Sequence, residues 1–424
     1  MNKIPIPEGM ETHVFLMSEN AINDVPALLE ETFPGKRPFL IADENTWKVA
    51  GEHLFAILPA GKLSPKIYPG TPRLHPDNAY CDALAGELPE DCVPVAVGSG
   101  VINDIVKRAS GIRKLPYCCV PTACSVDGYT SFGAALSVEG FKKTMPCPAP
   151  YAIAADLNIL KTAPADMFAS GYADLLTKIP AGADWILADT MGEAPIREDI
   201  WALIQKDLRK WVSDAGNMND VFMGLAATGY AMQIMHDSRP ASGAEHLMSH
   251  VWEMEGLQYQ GEDVSHGFKV GIGTIASSTI QHFICNTPLE KAKAAAKAPE
   301  TRQEYEKRVD NLLRKGCYGN AKEVAMSKFL PPEELLERRE KIYGNWEKIG
   351  LRMKEQLFTV DHFRELLAKA GCPTEFEKIG LSREQYLHGV LTAQLIRNRY
   401  TILDFLYEAG LLDEAMKNLD RMME

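Results

Sequence analysis

The pattern of apolar residues changes near residue 160, and this change constrains the fold more than any other feature. Up to that point short apolar runs, among them CVPVAVGSG and YAIAAD, alternate with helix-like stretches such as VINDIVKRAS. Strands that alternate with helices predict a mainly parallel sheet, and nearly continuous apolar runs predict helices on both of its faces. Beyond residue 160 the strand signals cease, and long segments follow whose apolar residues recur at helical spacing.

We therefore predict an α/β domain over residues 1–160 and an all-helical domain over residues 161–424. A chain of 424 residues exceeds what one ordinary core supports, which favours two domains. Inside the first domain, SFGAALSVEGFKKTMPCP predicts a hairpin that turns around Glu139-Gly140. Residues 290–345 are rich in Ala, Glu, Lys and Arg, which predicts solvated surface helices.

Charge and composition narrow the class of function. The net charge of −12 argues against a nucleic-acid partner, which would need a basic face. No run approaches the roughly 18 apolar residues of a membrane helix, and the N-terminal segment lacks the apolar region of a secretory signal, so we expect a cytoplasmic protein. The nine cysteines are odd in number and include no C-x-x-C, which predicts reduced, partly buried thiols rather than a disulfide framework or a thiolate zinc site.

A strand, a glycine turn and a helix follow one another in VPVAVGSGVINDIVKRA. Gly98 and Gly100 would let the backbone approach a phosphate, and the helix N-terminus would offer N–H groups. Asn103 stands where G-x-G-x-x-G needs its third glycine, so an ordinary tight turn explains this segment equally well. Asp43 ends the run RPFLIAD and either accepts hydrogen bonds from a ribose, caps a helix or is an exposed acid in a turn. In the first case it would repel a 2′-phosphate and favour NAD over NADP.

Three separate segments carry side chains suited to a divalent cation. Asp174 lies in SGYADLLTK, His246 and His250 lie four residues apart in SGAEHLMSH and share a helix face, and His266 opens HGFKVG. One carboxylate and two imidazoles leave a coordination position open for substrate oxygens, and a cation there would polarise a hydroxyl. Paired histidines also cap helices, pack or face solvent, so their spacing alone leaves a structural role open.

Taken in order, these segments resemble the sn-glycerol-1-phosphate dehydrogenases, which belong with iron-type alcohol dehydrogenases, glycerol dehydrogenases and dehydroquinate synthases. The matching stretches are GSGVINDIVK, PTACSVDGYTS, GFKKTMPCPAPYAIAADLNIL, SGYADLLTK, SGAEHLMSH and HGFKVGIGT, and RNRYTILDFL is similar to the bacterial branch. The resemblance implies a dehydroquinate synthase-like fold, with a Rossmann-like dinucleotide-binding domain followed by a helical metal- and substrate-binding domain.

The resemblance also implies roles for individual residues. Asp174, His246 and His266 would bind one divalent metal, zinc or nickel. His250 would contact the substrate or relay a proton, and Asp127 would lie near the nicotinamide and the substrate. NAD or NADP would be held through its pyrophosphate by Gly98, Ser99, Gly100, Val101 and Ile102, and elsewhere by Thr122, Ser125 and Ser131.

The implied reaction interconverts dihydroxyacetone phosphate and sn-glycerol 1-phosphate, a step of phospholipid metabolism, with reduction as the physiological direction. Lys142, Lys143, Arg397 and Arg399 are candidates to bind the substrate phosphate, although an exposed hairpin explains the two lysines equally well. We expect a small phosphorylated polyol as the partner, neither nucleic acid nor membrane, and a homo-oligomer of two or more copies.

Three alternatives stay open on the sequence. A glycerol dehydrogenase or related polyol dehydrogenase would need no phosphate pocket. A dehydroquinate-synthase-like lyase would normally present Glu where Asp174 stands. A non-catalytic nucleotide-binding or assembly protein would not need to preserve Asp174, His246 and His266 together.

Overall fold

The chain divides into two units. The first comprises the residues up to Leu175 together with Lys210–Asp237, and the second comprises Leu176–Arg209 and Ser238–Glu424. The structure is a computed structural model that describes residues 2–138 and 141–422, with only the backbone of residues 141 and 142. That residues 1–160 bind the dinucleotide and residues 161–424 bind the metal and substrate stays a prediction.

The first unit is built on a parallel sheet of six strands in the order β1-β8-β5-β4-β2-β3, and every neighbouring pair in it is parallel. Two small antiparallel sheets, β6-β7 and β9-β10, are separate from it. The strands of the described residues are β1 (Val14–Ser18), β2 (Arg37–Asp43), β3 (Lys66–Tyr68), β4 (Cys92–Gly98), β5 (Cys118–Pro121), β6 (Ala134–Val138), β7 (Phe141–Met145), β8 (Ala152–Asp156), β9 (Gln258–Tyr259) and β10 (Glu262–Asp263).

Helices connect the parallel strands and make up nearly all of the second unit. In chain order they are α1 (Val25–Thr32), α2 (Glu44–Thr46), α3 (Glu52–Ile57), α4 (Asn78–Glu87), α5 (Gly100–Arg113), α6 (Leu157–Leu160), α7 (Ala165–Leu176), α8 (Lys178–Met191), α9 (Glu198–Trp211), α10 (Met218–Met235), α11 (Ala244–Met254), α12 (His266–Asn286), α13 (Leu289–Ala295), α14 (Arg302–Leu312), α15 (Ala321–Ser327), α16 (Pro332–Gln356), α17 (Val360–Lys369), α18 (Arg383–Ala393), α19 (Ile402–Ala409) and α20 (Leu412–Arg421). Within the described ranges, no helix has the length and apolar character needed to cross a membrane.

The parallel sheet confirms the strand prediction for the N-terminal part of the chain. Five apolar runs signal strands, and they form β1 (HVFLMS), β2 (RPFLIAD), β4 (CVPVAVGSG), β5 (LPYCCVPTA) and β8 (YAIAAD). The prediction missed β3, whose three residues at the sheet edge are too few to show a pattern. The hairpin is confirmed by the antiparallel pairing of β6 with β7, whereas its predicted turn at Glu139-Gly140 lies outside the described residues.

The helical prediction for the C-terminal part holds except in two places. The loop EGLQYQGEDVS contains the strand pair β9-β10, joined by Gln260 and Gly261, which both have positive φ. A two-residue turn of this kind closes a hairpin, so two residues on either side pair as strands. The segment QYLHGVLTAQLIRNRYTILDFLYEAG has helical spacing throughout, which predicts one continuous helix. Instead α18 ends at Ala393, and α19 begins at Ile402 after a capping box in which Thr401 is the N-cap residue.

The strand order places a topological switch point beside β2. From β2 the chain moves outward to β3 at the edge and then returns to form β4 on the other side of β2. In open α/β sheets, ligands bind outside the carboxyl ends of the strands where the order reverses in this way. Asp43 and Gly98 are the last residues of β2 and β4, so both lie at this switch point.

The core of the second unit supports one face of α11. Leu247 and Val251 of this helix are buried in that core. His246 and His250 precede them by one position each and therefore point about 100° away, toward a neighbouring side of the helix. The same core contains Ile272 and other residues of α12, so the two helices that carry the candidate histidines pack into one hydrophobic core.

Candidate functional site

The glycine turn after β4 has the form of an anion-binding helix start. Ser99 is the N-cap of α5 in an extended conformation, and its side chain makes no capping hydrogen bond. The first intrahelical bond runs from the N–H of Asn103 to the carbonyl oxygen of Ser99, at 3.1 Å, so the preceding N–H groups are available to a ligand. A Cβ at Gly98 would lie 2.5 Å from Cβ of Ile102, which explains the need for glycine there.

Asp43 caps a helix, which is one of its three predicted roles. Its Oδ1 accepts hydrogen bonds from the N–H groups of Asn45 (2.9 Å) and Thr46 (2.8 Å). The hydroxyl of Thr46 lies 3.1 Å from the N–H of Asp43 and completes a capping box. A contact of Asp43 with a ribose stays a prediction.

The segment after β5 places the remaining predicted nucleotide contacts together. Thr122, Ser125 and Ser131 are buried, and Asp127, which begins the 3-10 turn Asp127–Tyr129, is half-buried. The Ser125 hydroxyl lies 3.3 Å from the hydroxyl of Tyr129. The Ser131 hydroxyl donates to the carbonyl of residue 128 at 3.1 Å. These hydroxyls therefore shape the loop, and their contacts with a dinucleotide stay predictions.

Lys107 in α5 was missed by the sequence analysis. It is fully buried, and its Nζ donates hydrogen bonds to the carbonyl oxygens of Gly128 (2.7 Å), Ser131 (2.9 Å) and Gly133 (3.1 Å). A buried ammonium group is tolerated only when hydrogen bonds or opposite charge compensate it, and Asp104 lies 3.8 Å away. Lys107 thus fastens the helix of the glycine turn to the loop that contains Asp127. No signal in the sequence distinguishes Lys107 from an ordinary solvated lysine of an amphipathic helix.

The three predicted metal ligands converge. One ligand atom each from Asp174, His246 and His266 lies within 4.8 Å of the other two, and among the described residues this is the only such group of three. Asp174 is fully buried and lies near the C-terminal end of α7. It belongs to the first unit, whereas Leu176, the last residue of this helix, belongs to the second. One carboxylate oxygen and two imidazole nitrogens are donors that zinc and nickel accept, so these residues fit a divalent cation.

His250 lies beside these histidines. Its ring centroid is 6.5 Å from that of His246 and 6.4 Å from that of His266, and the last two rings are 5.3 Å apart. Its Nδ1 lies 3.8 Å from a carboxylate oxygen of Glu253, one turn later in α11. His250 is half-buried, so its imidazole adjoins the candidate ligands without full burial. Its predicted role in proton transfer stays a prediction.

Two buried carboxylates behind His246 were also missed. Oε1 of Glu245 lies 3.0 Å from Nδ1 of His246. Asp184 accepts hydrogen bonds from the N–H groups of Ala244 (2.8 Å) and Ile402 (3.1 Å). Burial raises the pKa of Asp184 above its ordinary value, and the neighbouring charge of Glu245 raises it further. Only the position of Glu245 next to His246 in SGAEHLMSH could have drawn attention to it.

The candidates for phosphate binding differ in their surroundings. The guanidinium group of Arg399 donates to the carbonyl of Ser242 (2.9 Å) and to the hydroxyl of Ser238 (2.7 Å), and so holds the segment before α11. Arg397 and Lys143 are exposed, and the side chain of Lys142 lies outside the described residues. None of the nine cysteines, all of which lie in the described ranges, forms a disulfide; six are buried and three half-buried, which confirms the prediction of partly buried thiols.

Comparisons with known proteins agree with this arrangement. Residues 16–164 match the family described as iron-containing alcohol dehydrogenase. A glycerol-1-phosphate dehydrogenase (NAD(P)+) from Geobacillus stearothermophilus is 32% identical over 343 residues, which cover 76% of this chain and 73% of that protein. Its counterpart from Bacillus velezensis is 29% identical over 389 residues, 88% of this chain and 86% of the relative.

A solved structure supports the fold independently. The glycerol dehydrogenase of Schizosaccharomyces pombe superposes with a TM-score of 0.60 at 14% sequence identity, covering 99% of this chain and 93% of that one. This likeness confirms the predicted fold class, an α/β Rossmann-like part followed by an all-helical part. The family follows from sequence: the relative from Geobacillus stearothermophilus, 32% identical over 76% of this chain and 73% of its own length, shows that the chain belongs to the glycerol-1-phosphate dehydrogenase family of iron-containing alcohol dehydrogenases.

Proposed function

We propose that this chain is a metal-dependent, NAD(P)-linked oxidoreductase that interconverts dihydroxyacetone phosphate and sn-glycerol 1-phosphate. The observation that carries the proposal is the convergence of Asp174, His246 and His266 in a chain whose relatives are named for that activity. A scaffold protein would have no need to bring a carboxylate and two imidazoles from distant parts of the chain to one place.

The first unit offers what a dinucleotide requires. The N–H groups at the start of α5 would bind the pyrophosphate, and a bound nicotinamide would exchange a hydride with the substrate. The loop containing Thr122, Ser125 and Ser131 would contact the rest of the cofactor. Asp43 at the neighbouring strand end would accept hydrogen bonds from the ribose and disfavour a 2′-phosphate, so we propose that NAD is preferred to NADP.

The metal centre would orient and polarise the substrate. Asp174, His246 and His266 would hold zinc or nickel, and the cation would polarise the reacting oxygen of the substrate. His250, next to these ligands, would move the proton to or from that oxygen, directly or through a water molecule. Asp127 would lie near the nicotinamide and the substrate.

An anionic substrate needs local cations, because the chain carries a net charge of −12. Lys142, Lys143, Arg397 and Arg399 remain our candidates for the phosphate. We also propose that residues 1–160 bind the dinucleotide and residues 161–424 the metal and substrate. A cytoplasmic location and a homo-oligomer of two or more copies complete the proposal, and light scattering of the purified protein tests the latter.

One assay tests the reaction. The zinc- or nickel-loaded protein is given NADH or NADPH with dihydroxyacetone phosphate or with unphosphorylated dihydroxyacetone, and the chirality of the product is determined. We expect oxidation of NADH with the phosphorylated substrate and formation of sn-glycerol 1-phosphate. Equal rates with dihydroxyacetone would instead support a glycerol dehydrogenase, and no oxidation with either would contradict both.

The variant His246→Ala tests the metal assignment. We expect it to lose bound metal and turnover together, because a chelating imidazole is removed. His362→Ala is the matched control, since this histidine is exposed on α17 and makes an ion pair with Glu365. Full activity of His246→Ala after treatment with a chelator would show that the metal site is wrongly assigned.

A further inference from the structure

Glu245 is a buried carboxylate directly before the candidate ligand His246. Its Oε1 accepts the N–H of Gly243 at 2.6 Å and lies 3.0 Å from Nδ1 of His246. Both side chains are almost completely removed from solvent, with exposures of 0% and 6%. An oxygen that already accepts one N–H acts as the acceptor toward the imidazole as well, so the hydrogen lies on Nδ1 of His246.

The surroundings of Glu245 hold it in this position. A Cβ on Gly243 would lie 2.7 Å from Oδ2 of Asp184 and 2.8 Å from Oε2 of Glu245, so the segment before α11 fits closely around both carboxylates. A Cβ on Gly273 would lie 2.5 Å from the carbonyl oxygen of Glu245, so the main chain of α12 packs directly against the main chain of α11 at Glu245. Gly243 and Gly273 therefore let the neighbouring segments approach Glu245 more closely than residues with a Cβ would allow.

Asp184 is in turn fixed from three directions. Its Oδ2 accepts the N–H of Ala244, and its Oδ1 accepts from Nε2 of Gln281 (2.9 Å) and from the N–H of Ile402 (3.1 Å). The segment RNRYTILDFL therefore helps to hold Asp184 near Glu245, through the main-chain N–H of Ile402. The motif thus has a structural role at Ile402, in addition to the phosphate contacts proposed for its residues Arg397 and Arg399.

We propose that Glu245 is a positioning residue for the metal centre. It keeps the hydrogen of His246 on Nδ1, so that His246 presents Nε2 to the cation shared with Asp174 and His266. When one ring nitrogen of a histidine binds a metal, the other carries the N–H. A carboxylate that accepts this N–H fixes the tautomer and orientation of the ring and increases its basicity. The inference rests on the metal site of the proposed function and is independent of its substrate.

The isosteric variant Glu245→Gln tests this role. The glutamine oxygen still accepts from His246, but the negative charge is gone, so we expect zinc to bind about 10- to 100-fold more weakly. The dissociation constant is measured by competition with a chromophoric chelator. Glu255→Gln is the matched control, because Glu255 is a half-buried acid at the end of the same helix, with a side chain only 6% exposed. It accepts hydrogen bonds from Lys315, Tyr318 and His388. Its zinc affinity should equal that of the unchanged protein.

A second measurement uses the unchanged protein and so does not depend on the folding of a variant. In the zinc-loaded protein labelled with ¹⁵N-histidine, His246 should show a proton on Nδ1 and coordination through Nε2, with His246→Ala identifying the signal. Coordination through Nδ1, or unaltered zinc affinity in Glu245→Gln, would overturn the proposal while leaving the metal site intact. Failure of the unchanged protein to bind zinc or nickel would instead overturn the metal site itself, and the inference with it.

Discussion

The backbone N–H of Asp127 donates a hydrogen bond of 3.0 Å to Oδ2 of Asp174. The donor belongs to the 3-10 turn in the loop that we assign to the nucleotide, and the acceptor is the carboxylate that we assign to the metal. Hydrogen bonds to an ionised carboxylate are shorter and stronger than those between neutral groups. The bond therefore sets the orientation of Asp174 and couples the geometry of the metal ligand to that of the nucleotide loop.

Asp174→Asn should separate the charge of this residue from its shape. The asparagine oxygen can still accept from Asp127, but a neutral amide is a poor ligand for zinc or nickel. We expect metal affinity to fall by about 100-fold or more and turnover to fall with it. Metal content after dialysis and the initial rate with dihydroxyacetone phosphate check this. Zinc binding as tight as in the unchanged protein would mean that Asp174 is not a ligand.

Lys107→Met should weaken both stability and cofactor binding. The substitution leaves the carbonyl groups of Gly128, Ser131 and Gly133 without their buried donor, and each unsatisfied buried group costs about 1–3 kcal/mol. Allowing for relaxation of the loop, we expect the free energy of unfolding to fall by about 2–4 kcal/mol. Because the loop is released from α5, NADH should also bind more weakly, as measured by fluorescence titration.

The control for Lys107→Met is Lys114→Met. Lys114 is exposed and forms the C-cap of the same helix, so the loss of its charge should leave stability within about 0.5 kcal/mol and NADH affinity unchanged. Equal effects of the two substitutions would show that the buried hydrogen bonds of Lys107 are not what matters.

The parts of the site that the sequence could predict are those written in local patterns. The apolar run before Gly98 and the helical spacing after it place the glycine turn at the end of a strand, because neighbouring residues alone decide both elements. The four-residue spacing of His246 and His250 likewise places both on one helix face. That Asp174 and His266 join them followed from resemblance to a family, since no local pattern joins positions so far apart in the chain.

The remaining features depend on tertiary contacts that one sequence does not encode visibly. Asp184 and Glu245 are ordinary acids in helical segments, and only the packing of α8, α11 and α12 buries them together. Lys107 looks like a solvated lysine until the loop containing Gly128 folds over it. The strand β3 pairs with β2 at the sheet edge, and although Ile67 and Tyr68 favour strands, three residues are too few to show an alternating pattern.

Gly98→Ala should impair the nucleotide turn. The added methyl group would lie 2.5 Å from Cβ of Ile102, so the start of α5 must move. Overpacking of this kind costs about 1–3 kcal/mol, and NADH should bind about tenfold more weakly or worse because the N–H groups are displaced. Gly86→Ala is the control, since its added Cβ in α4 meets no atom within 4 Å. That variant should gain about 0.5–1 kcal/mol of stability with unchanged affinity; normal NADH affinity in Gly98→Ala would contradict the assignment.

Gly273→Ala should disturb the metal centre, although Gly273 lies two helical turns after His266 in α12. Its Cβ would lie 2.5 Å from the carbonyl oxygen of Glu245, a backbone atom that cannot rotate away, so α12 must separate from α11. His266 and His246, one on each helix, would move apart, and we expect weaker zinc binding measured by chelator competition. Gly344→Ala on α16, where nothing lies within 4 Å, should bind zinc normally. Identical zinc affinities for both variants would show that the spacing of the two helices does not set the site.

Glu255 should make the stability of the protein depend on pH in the acid range. Hydrogen bonds from His388, Lys315 and Tyr318 outweigh the opposing effect of burial and lower the pKa of Glu255 from 4.5 to about 2. Above about pH 4.5 this carboxylate is ionised in the folded and the unfolded chain, and its full stabilisation is present. Between about pH 4.5 and pH 2 this carboxyl group is protonated in the unfolded chain but still ionised in the folded chain. The stabilisation is therefore lost as the pH falls through this range.

The variant Glu255→Gln measures this contribution. The depression of the pKa corresponds to about 3 kcal/mol, and because water partly screens the ion pair with Lys315 we expect a loss of about 2 kcal/mol in the free energy of unfolding at pH 7. Urea unfolding at pH 7, 5, 4 and 3 should show the gap between the two proteins narrowing below about pH 4.5, because the unchanged protein loses the stabilisation that the variant never had. A gap that is the same at pH 7 and pH 3 would mean that the charge of Glu255 contributes nothing and that its hydrogen bonds alone stabilise the end of α11.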